Sequence, residues 1–176
     1  MNGLCIYLIG RSGSGKTTIA NLLKNKINKI DNRIITLLDG DEVRKNISSG
    51  LGFNKKDRSM NVRRIGYVSN IITKHKGIVI ASNIAPYNDD RIYNRNLIEN
   101  NGNKYVEIFL DATLENCIKR DPKGLYKINN EKIIQSYNEF EYPTKSDLII
   151  NTNNEKIHES VYNILNYLKN NAYIKL

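Results

Sequence analysis

The sequence predicts an α/β fold in which a parallel five-stranded sheet carries helices on both faces. Three observations support this prediction. Short apolar runs alternate with helix-length amphipathic segments, which is the order expected of parallel strands joined by crossover helices. The runs at residues 4–9 and 77–82 are almost continuously apolar, as in central strands that are buried on both faces. A glycine-rich segment joins the first of these runs to the helix that follows it.

The apolar periodicity then places each element along the chain. Strands are predicted at residues 4–9, 33–38, 77–82, 105–110 and 148–151, and helices at 17–29, from 54 onward, at 89–100, from 111 to about 120, and at 155–169. Asn54, with Asp57 three residues later, predicts a helix N-terminus, and Asp111 is predicted to cap the fourth helix. Residues 121–143 are polar and lack periodicity, so they are predicted to form a lid over the site. We expect residues 1–176 to form a single domain.

The glycine-rich segment carries the strongest chemical signal. Residues 10–18, GRSGSGKTT, match the phosphate-binding pattern G-x-x-x-x-G-K-[ST] between a strand and a helix. Glycine has no Cβ, so such a loop can turn successive N–H groups inward at the positively polarised start of a helix. The Lys16 ammonium can reach the β- and γ-phosphates of a nucleotide, and the Thr17 hydroxyl can ligate Mg²⁺. The sequence therefore predicts a P-loop NTPase fold, with phosphate-binding residues Gly10, Ser12, Gly13, Ser14, Gly15, Lys16, Thr17 and Thr18.

Charge and cysteine content narrow the functional class. The chain has 27 Lys and Arg against 18 Asp and Glu, a formal net charge of +9, which attracts polyanions. The basic residues are dispersed and are not interleaved with aromatic ones, so we expect small nucleotides and not nucleic acid as partners. Cys5 and Cys117 are isolated thiols, which favours buried packing roles in a reducing compartment. Because the start lacks a basic leader and its apolar run is short, we expect a cytoplasmic protein that does not enter a membrane.

Two further strings also occur in GTPase switches, which are a different functional class. Residues 121–124, DPKG, match Asp-x-x-Gly, and residues 144–147, TKSD, match the segment with which switches recognise guanine. The first string follows a helix, however, and the second precedes its strand, whereas a guanine-binding segment lies at a strand's far end. A small-molecule kinase is therefore favoured, and a nucleotide-dependent switch and a non-catalytic binding module stay open as alternatives.

Five further motifs come in a characteristic order. They are DGDEVR at 39–44, GLGF at 50–53, DR at 57–58 with NVRRIG at 61–66, IAPY at 84–87 with DR at 90–91, and RDPKGLY at 120–126. With the phosphate loop, these motifs resemble the adenylyl-sulfate kinase (APS kinase) family from residue 4 to about 126. The resemblance implies transfer of the γ-phosphoryl group of ATP, with Mg²⁺, to the ribose 3′-hydroxyl of a nucleoside 5′-phosphoanhydride. Family members are often dimers, so a homodimer is also implied.

The resemblance also implies residue roles. The catalytic residues would be Lys16, Asp41 as the partner of the attacking hydroxyl, and Asp39 as a second candidate for that role near the metal. Arg120 would bind ATP, and the acceptor would be bound by Asp41, Arg44, Phe53, Arg58, Asn61, Ile84, Ala85, Lys123 and Leu125. Two of these residues have an alternative structural explanation. Asp39 can also be a helix N-cap, and Phe53 can be a packing residue and not a stacking platform for the acceptor base.

Two departures from the family pattern concern the acceptor. The family usually has Ile-Ser-Pro where this chain has Ile84-Ala85-Pro86, so a hydroxyl is missing from the acceptor pocket. The family's lid also contains Phe-Thr-Gly-Ile-Asp, whose Phe covers the acceptor's adenine, and residues 127–143 lack that string. A branch of the family phosphorylates cytidine diphosphoramidate on the route to capsule phosphoramidate groups. We therefore expect cytidine diphosphoramidate as the acceptor, with adenylyl sulfate, the acceptor of sulfate assimilation, as the alternative.

Overall fold

The computed structural model of the protein describes residues 1–121, 124, 126 and 139–175. Its centre is a five-stranded sheet in the order β2-β3-β1-β4-β5, and every neighbouring pair is parallel. The strands are β1 (Leu4–Ile9), β2 (Ile35–Asp39), β3 (Ile78–Asn83), β4 (Lys104–Asp111) and β5 (Leu148–Asn151). The helices are α1 (Lys16–Ile27), α2 (Gly40–Lys45), α3 (Lys55–Lys74), α4 (Asn88–Glu99), α5 (Leu114–Arg120) and α6 (Ile157–Asn170). The predicted α/β class and the parallel sheet are confirmed.

Two hydrophobic cores lie on the two faces of the sheet, as a doubly covered sheet requires. Alternate residues of β1 divide between them: Leu4, Ile6 and Leu8 pack in one core, and Cys5, Tyr7 and Ile9 pack in the other. The first core includes apolar residues of α1 and α6, and the second includes residues of α3 and α4. Cys5 and Cys117 are buried and not in a disulfide, so the predicted packing role of both is confirmed.

Helix boundaries follow local capping chemistry. Asn54 caps α3 as predicted, because its side-chain oxygen accepts a hydrogen bond from the Asp57 amide at 2.9 Å. The predicted cap of α5 was wrong, because Asp111 is the last residue of β4 and the cap is Thr113, whose hydroxyl accepts from the Asn116 amide. The six-residue helix α2 was not predicted.

A buried ion pair fixes the start of β2 to both ends of the chain. The Asp31 carboxylate accepts hydrogen bonds from the Arg33 guanidinium at 3.0 and 2.7 Å and from the Arg33 amide at 3.0 Å. The same guanidinium donates to the carbonyls of Asn2 at 2.7 Å and Tyr173 at 2.6 Å. These bonds hold the pKa of Asp31 below its ordinary value, with the Arg33 side-chain bonds as the main cause.

None of the helices in the described ranges is both long enough and apolar enough to cross a bilayer. Residues 122, 123, 125 and 127–138, which make up most of the predicted lid, lie outside the described residues.

Candidate active site

The phosphate loop lies between β1 and α1 at the carboxyl edge of the sheet. Gly10, Gly13 and Gly15 have φ angles of 148°, 81° and 99°, a range that side-chain-bearing residues rarely adopt. A Cβ on Gly10 would lie 2.7 Å from the Leu110 carbonyl oxygen, and one on Gly13 would lie 2.8 Å from the Cys117 carbonyl oxygen. Glycine is therefore required by backbone angle at all three positions and also by space at Gly10 and Gly13, as in a loop that curls around phosphate oxygens.

The two polar residues after the last glycine point at the loop and at β2. The Lys16 ammonium donates hydrogen bonds to the carbonyls of Gly10 at 2.9 Å and Arg11 at 2.8 Å, so the charge is held over the loop. The Thr17 hydroxyl donates to the Asp39 carboxylate at 2.9 Å. The other predicted phosphate-binding side chains differ in exposure. Ser14 is buried, Ser12 is half-buried, and Thr18 is exposed in the first turn of α1.

Asp39 connects three elements at the sheet edge. Besides the bond from Thr17, its carboxylate accepts a hydrogen bond from the Ser82 hydroxyl at 3.2 Å and one from the Asp41 amide at 2.9 Å. The last of these bonds caps α2, so the N-cap interpretation of Asp39 is confirmed. A hydroxyl and a carboxylate side by side are oxygen ligands of the kind that Mg²⁺ takes from a P-loop protein, so these residues fit Mg-ATP.

Asp41 lies exposed in the first turn of α2, two residues beyond Asp39 and at the same edge as the loop. Within the described residues there is no group of three or more His, Cys, Asp or Glu that could hold a metal. A metal at Thr17 and Asp39 would therefore take most of its ligands from phosphate and water, as Mg²⁺ commonly does.

A second group of residues forms an aromatic platform beside α2. The Arg44 guanidinium lies 4.6 Å from the centre of the Phe53 ring and donates to the Gly52 carbonyl at 2.7 Å. Phe53 is 60% exposed, so it is not a core residue. The ring packs against the Arg44 guanidinium, and its exposed surface is one on which a base could stack.

A third group forms a buried cationic pocket on α3. Arg58 and Asn61 lie one turn apart on the same face of the helix, and both are buried. The Arg58 Nε and Nη1 and the Asn61 Oδ1 find no hydrogen-bond partner among the described residues. Arg58 also pairs with Glu139, which receives a hydrogen bond from the Tyr87 hydroxyl at 2.6 Å. Unpartnered buried donors are costly, so this pocket is suited to an anionic group of a ligand.

The loop after β3 carries two more of the predicted acceptor residues, Ile84 and Ala85. Ile84 is half-buried, and Ala85 is buried with a φ of 43°, a strained angle for a residue that has a Cβ. The Arg91 guanidinium donates to the Ala85 carbonyl and to the Glu141 carbonyl at 2.8 Å. These bonds fix the loop against the segment that begins at Glu139.

The predicted ATP-binding arginine lies at the end of α5. Arg120 donates a hydrogen bond to the Thr152 carbonyl just after β5, also at the carboxyl edge of the sheet. Lys123 and Leu125, predicted to bind the acceptor, lie outside the described residues.

Comparisons with known proteins agree on one family. The family model described as adenylylsulphate kinase matches residues 2–151. An adenylyl-sulfate kinase of Rippkaea orientalis is 40% identical over 176 residues, which cover 98% of this chain and 94% of the relative. The chain belongs to the adenylyl-sulfate kinase family.

Solved structures support the same assignment. The APS kinase of Mycobacterium tuberculosis, solved in complex with AMPPNP and APS, superposes with a TM-score of 0.83 at 28% identity and covers 96% of this chain and 98% of its own. A hexameric APS kinase from Thiobacillus denitrificans gives a TM-score of 0.79 at 35% identity, over 99% of this chain and 30% of that longer chain. The predicted fold and family are therefore confirmed, and the family's enzymes are phosphotransferases that use ATP with Mg²⁺.

The position of the TKSD string also bears on the alternative of a nucleotide-dependent switch. Asp147, the last residue of the TKSD string, immediately precedes β5, so it lies at the amino end of that strand. Its carboxylate accepts hydrogen bonds from Arg95 at 2.6 Å and from the Glu107 amide at 2.7 Å. Asp147 thus has a structural role before its strand and not after it, which argues against guanine binding by this string.

Three residues of the site were missed by the sequence analysis. Ser82 pairs in register with Asp39, so the adjacent ends of the two strands were a usable signal. Tyr87 belongs to the IAPY motif but received no role. Glu139 lies in the stretch that departs from the family pattern, where no motif points to it.

Proposed function

We propose that this chain is an ATP-dependent kinase that phosphorylates the ribose 3′-hydroxyl of a nucleoside 5′-phosphoanhydride, with adenylyl sulfate as the acceptor that its relatives favour. One observation carries the proposal: the phosphate loop, the Thr17–Asp39 pair and the buried Arg58, whose guanidinium lies 5.7 Å from the centre of the Tyr87 ring shortly after β3, are all at the carboxyl edge of the sheet. A donor nucleotide and an anionic acceptor can therefore be bound side by side. The departures from the family pattern favour cytidine diphosphoramidate, but the relatives support the alternative acceptor, adenylyl sulfate, better.

The chain's own residues would divide the work of phosphoryl transfer. Lys16 would leave the loop carbonyls for the β- and γ-phosphates, whose charge it offsets, and Thr17 and Asp39 would hold Mg²⁺. When bound, Mg²⁺ neutralises charge that develops on the transferred group. Asp41 would accept a hydrogen bond from the 3′-hydroxyl and orient that oxygen towards the γ-phosphorus, because the reaction depends on in-line positioning.

The acceptor would be held at both ends. Its base would stack on Phe53, which Arg44 supports from the other face, and its anionic tail would meet Arg58 and Asn61. Ile84 and Ala85 would line the space between them. Lys123 and Leu125 stay predicted acceptor contacts, and Arg120 stays the predicted contact of ATP.

The first test is acceptor-dependent ATP consumption. We expect ADP release to rise strongly when adenylyl sulfate is added, and Lys16→Ala to abolish this increase. ATP hydrolysis that is indifferent to every acceptor would contradict the proposal, and it would restore the switch or binding-module alternatives.

Cytidine diphosphoramidate is a second candidate acceptor for a specific reason. Ala85 is buried at the loop where the family usually has a serine, so its pocket lacks that hydroxyl. Residues 127–143 also lack the family's Phe-Thr-Gly-Ile-Asp string, which removes one stacking partner of adenine. Stacking on one face of a base is worth about 1–3 kcal/mol, so a smaller base would lose less. The ratio of kcat/KM for the two acceptors decides between sulfate assimilation and capsule phosphoramidate synthesis.

Cytoplasmic location and a homodimer stay predictions of the sequence analysis. Sedimentation of the purified protein tests the predicted homodimer directly.

A further inference from the structure

Residues 140–142, here called the bridging segment, contact the phosphate loop. The guanidinium of Arg11, the second residue of that loop, lies 5.1 Å from the centre of the Phe140 ring and 5.0 Å from the centre of the Tyr142 ring. Arg11 Nη1 also donates a hydrogen bond to the Tyr142 hydroxyl at 3.3 Å. Arg11 is only 8% exposed, and contacts of a desolvated guanidinium with aromatic rings are stronger than exposed ones. Because the Arg11 carbonyl accepts a hydrogen bond from Lys16 at 2.8 Å, the bridging segment also bears on the residue that would hold the phosphates.

The same segment is hydrogen-bonded to the loop after β3, which carries predicted acceptor residues. The Glu141 amide donates to the Pro86 carbonyl at 2.9 Å, and the Glu141 carboxylate accepts from the Asn88 amide at 2.7 Å. The Asn88 side-chain amide donates in turn to the Tyr142 carbonyl at 3.2 Å. Since donors and acceptors lie on both sides, the bridging segment and the loop after β3 are fixed against each other.

Arg91 and Phe140 join the two sets of contacts. The Arg91 guanidinium lies 5.6 Å from the centre of the Phe140 ring, and it donates to the carbonyls of Glu141 at 2.8 Å and of Ala85. The φ of 43° at Ala85 is a strained angle, which persists only where the surrounding contacts fix it. The Phe140 ring is thus contacted by Arg11 from the phosphate loop and by Arg91, which supports the acceptor loop.

The sheet gives the bridging segment a rigid base. Phe140 is buried, and its ring stacks on the Phe109 ring with 5.7 Å between the centroids. The Tyr142 ring meets Phe109 edge-on, also at 5.7 Å. Phe109 lies in register with Ile9, the last residue of β1, so the segment rests on the sheet where the phosphate loop begins.

We infer that the bridging segment is a positioning device for phosphoryl transfer, in which Arg11 and Tyr142 set the distance between the phosphate loop and the loop that carries Ala85. Neither residue has a role in the proposed function. In-line transfer depends on the alignment of the attacking oxygen with the γ-phosphorus, and a misplacement of about 1 Å can lower the rate about 100-fold. The inference rests on the proposed function, because it concerns how the donor and the acceptor of that reaction are aligned.

The test separates alignment from binding with two variants. Arg11→Met keeps a long side chain but removes the guanidinium, and Tyr142→Leu removes the ring at a position that is 59% exposed, where folding should be tolerated. We expect kcat with adenylyl sulfate to fall about tenfold to 100-fold in each variant. The dissociation constants of Mg-AMPPNP and of adenylyl sulfate should each change less than about threefold, because both half-sites persist and only their alignment is altered.

Two further variants test whether the ring and the guanidinium act as one unit. Tyr142→Phe keeps the ring beside Arg11 and loses only the hydroxyl, so its kcat should stay within about threefold of the native value. The double variant of Arg11→Met and Tyr142→Leu should be no slower than the slower single variant by more than about threefold, because both substitutions break the same contact.

A matched control removes a similar contact far from the site. The Arg95 guanidinium lies 4.8 Å from the centre of the Tyr105 ring, near the start of β4, whereas the phosphate loop follows the end of β1. Arg95 also pairs with Asp147, so Arg95→Met should lower the stability measured by urea unfolding. We expect the folded Arg95→Met protein to keep the native kcat.

The outcomes that would overturn the inference differ from those that would overturn the proposed function. If the native protein phosphorylates adenylyl sulfate and folded Tyr142→Leu and Arg11→Met keep its kcat, the inference fails and the proposed function stands. A loss of Mg-AMPPNP affinity as large as the loss of kcat would also overturn the inference, because it would indicate a damaged phosphate loop. If Arg11→Met does not fold, the comparison of Tyr142→Leu with Tyr142→Phe decides. If the native protein binds Mg-ATP but phosphorylates neither adenylyl sulfate nor cytidine diphosphoramidate, the proposed function fails and the inference fails with it.

Discussion

Adding one methyl group to the phosphate loop should damage both stability and nucleotide binding. Gly13 has a φ of 81°, and a Cβ on it would approach the Cys117 carbonyl oxygen at 2.8 Å and the Cys117 Cα at 3.1 Å. The left-handed backbone costs a side-chain-bearing residue about 1–2 kcal/mol, and overpacking against backbone adds about 1–3 kcal/mol. Alanine also restricts the unfolded chain more than glycine does, which offsets about 0.4–1 kcal/mol of this cost. We therefore expect Gly13→Ala to lower the free energy of unfolding by about 2–4 kcal/mol.

The matched control is Gly102→Ala, which separates steric overlap from backbone strain. Gly102 has a similar φ of 75°, but a Cβ on it would meet no described atom within 4 Å. The free energy of unfolding of this variant should therefore fall by only about 1 kcal/mol, and nucleotide binding should be normal. Urea unfolding curves give the two stabilities, and titration calorimetry with Mg-AMPPNP gives the two affinities. Equal stabilities and unimpaired nucleotide binding in Gly13→Ala would refute the steric argument.

Two further predictions concern catalysis and acid stability. Asp41→Ala should lower kcat about 100-fold or more while the affinity for ATP changes little, because the role proposed for its carboxylate is to orient the acceptor's hydroxyl and not to bind the phosphates. Steady-state kinetics with nucleotide titrations check this, and near-normal kcat would remove Asp41 from the mechanism. Asp31→Asn should cost about 2–4 kcal/mol at pH 7, because it leaves Arg33 poorly paired. Since the folded-state pKa of Asp31 lies below its ordinary value of 3.8, the native advantage is full above that pH and disappears as the pH falls through the folded-state pKa. Urea unfolding from pH 7 to pH 2 checks this trend, and a constant difference would contradict it.

The sequence was sufficient for the sheet and the phosphate loop because both follow from local patterns. Continuous apolar runs identified the buried strands, and the spacing of Gly10, Gly15 and Lys16 identified the loop before any tertiary contact was known. Helix α2 was not predicted because six residues are too few to show a helical period, although Asp39 was recognised as a potential cap.

The remaining parts of the site depend on contacts between distant residues. Glu139 reaches Arg58 across 81 positions of sequence, and Arg11 meets Phe140 and Tyr142 across still larger separations, 131 positions in the case of Tyr142. No periodicity or motif encodes such pairs, and Glu139 lies where the family pattern ends. The cap of α5 was misplaced for a simpler reason: β4 continues through Asp111, so the helix begins later.

The position of the phosphate in the product shows whether this chain moves the γ-phosphoryl group of ATP to a ribose 3′-hydroxyl. Mg-ATP and adenylyl sulfate, or cytidine diphosphoramidate, are incubated with the native protein, and the product is examined by phosphorus NMR. We predict a new phosphomonoester at the 3′-carbon, formed in equal amount with ADP. A product phosphorylated elsewhere, or ADP formed without a phosphorylated acceptor, would show that the chain is not a ribose 3′-hydroxyl kinase.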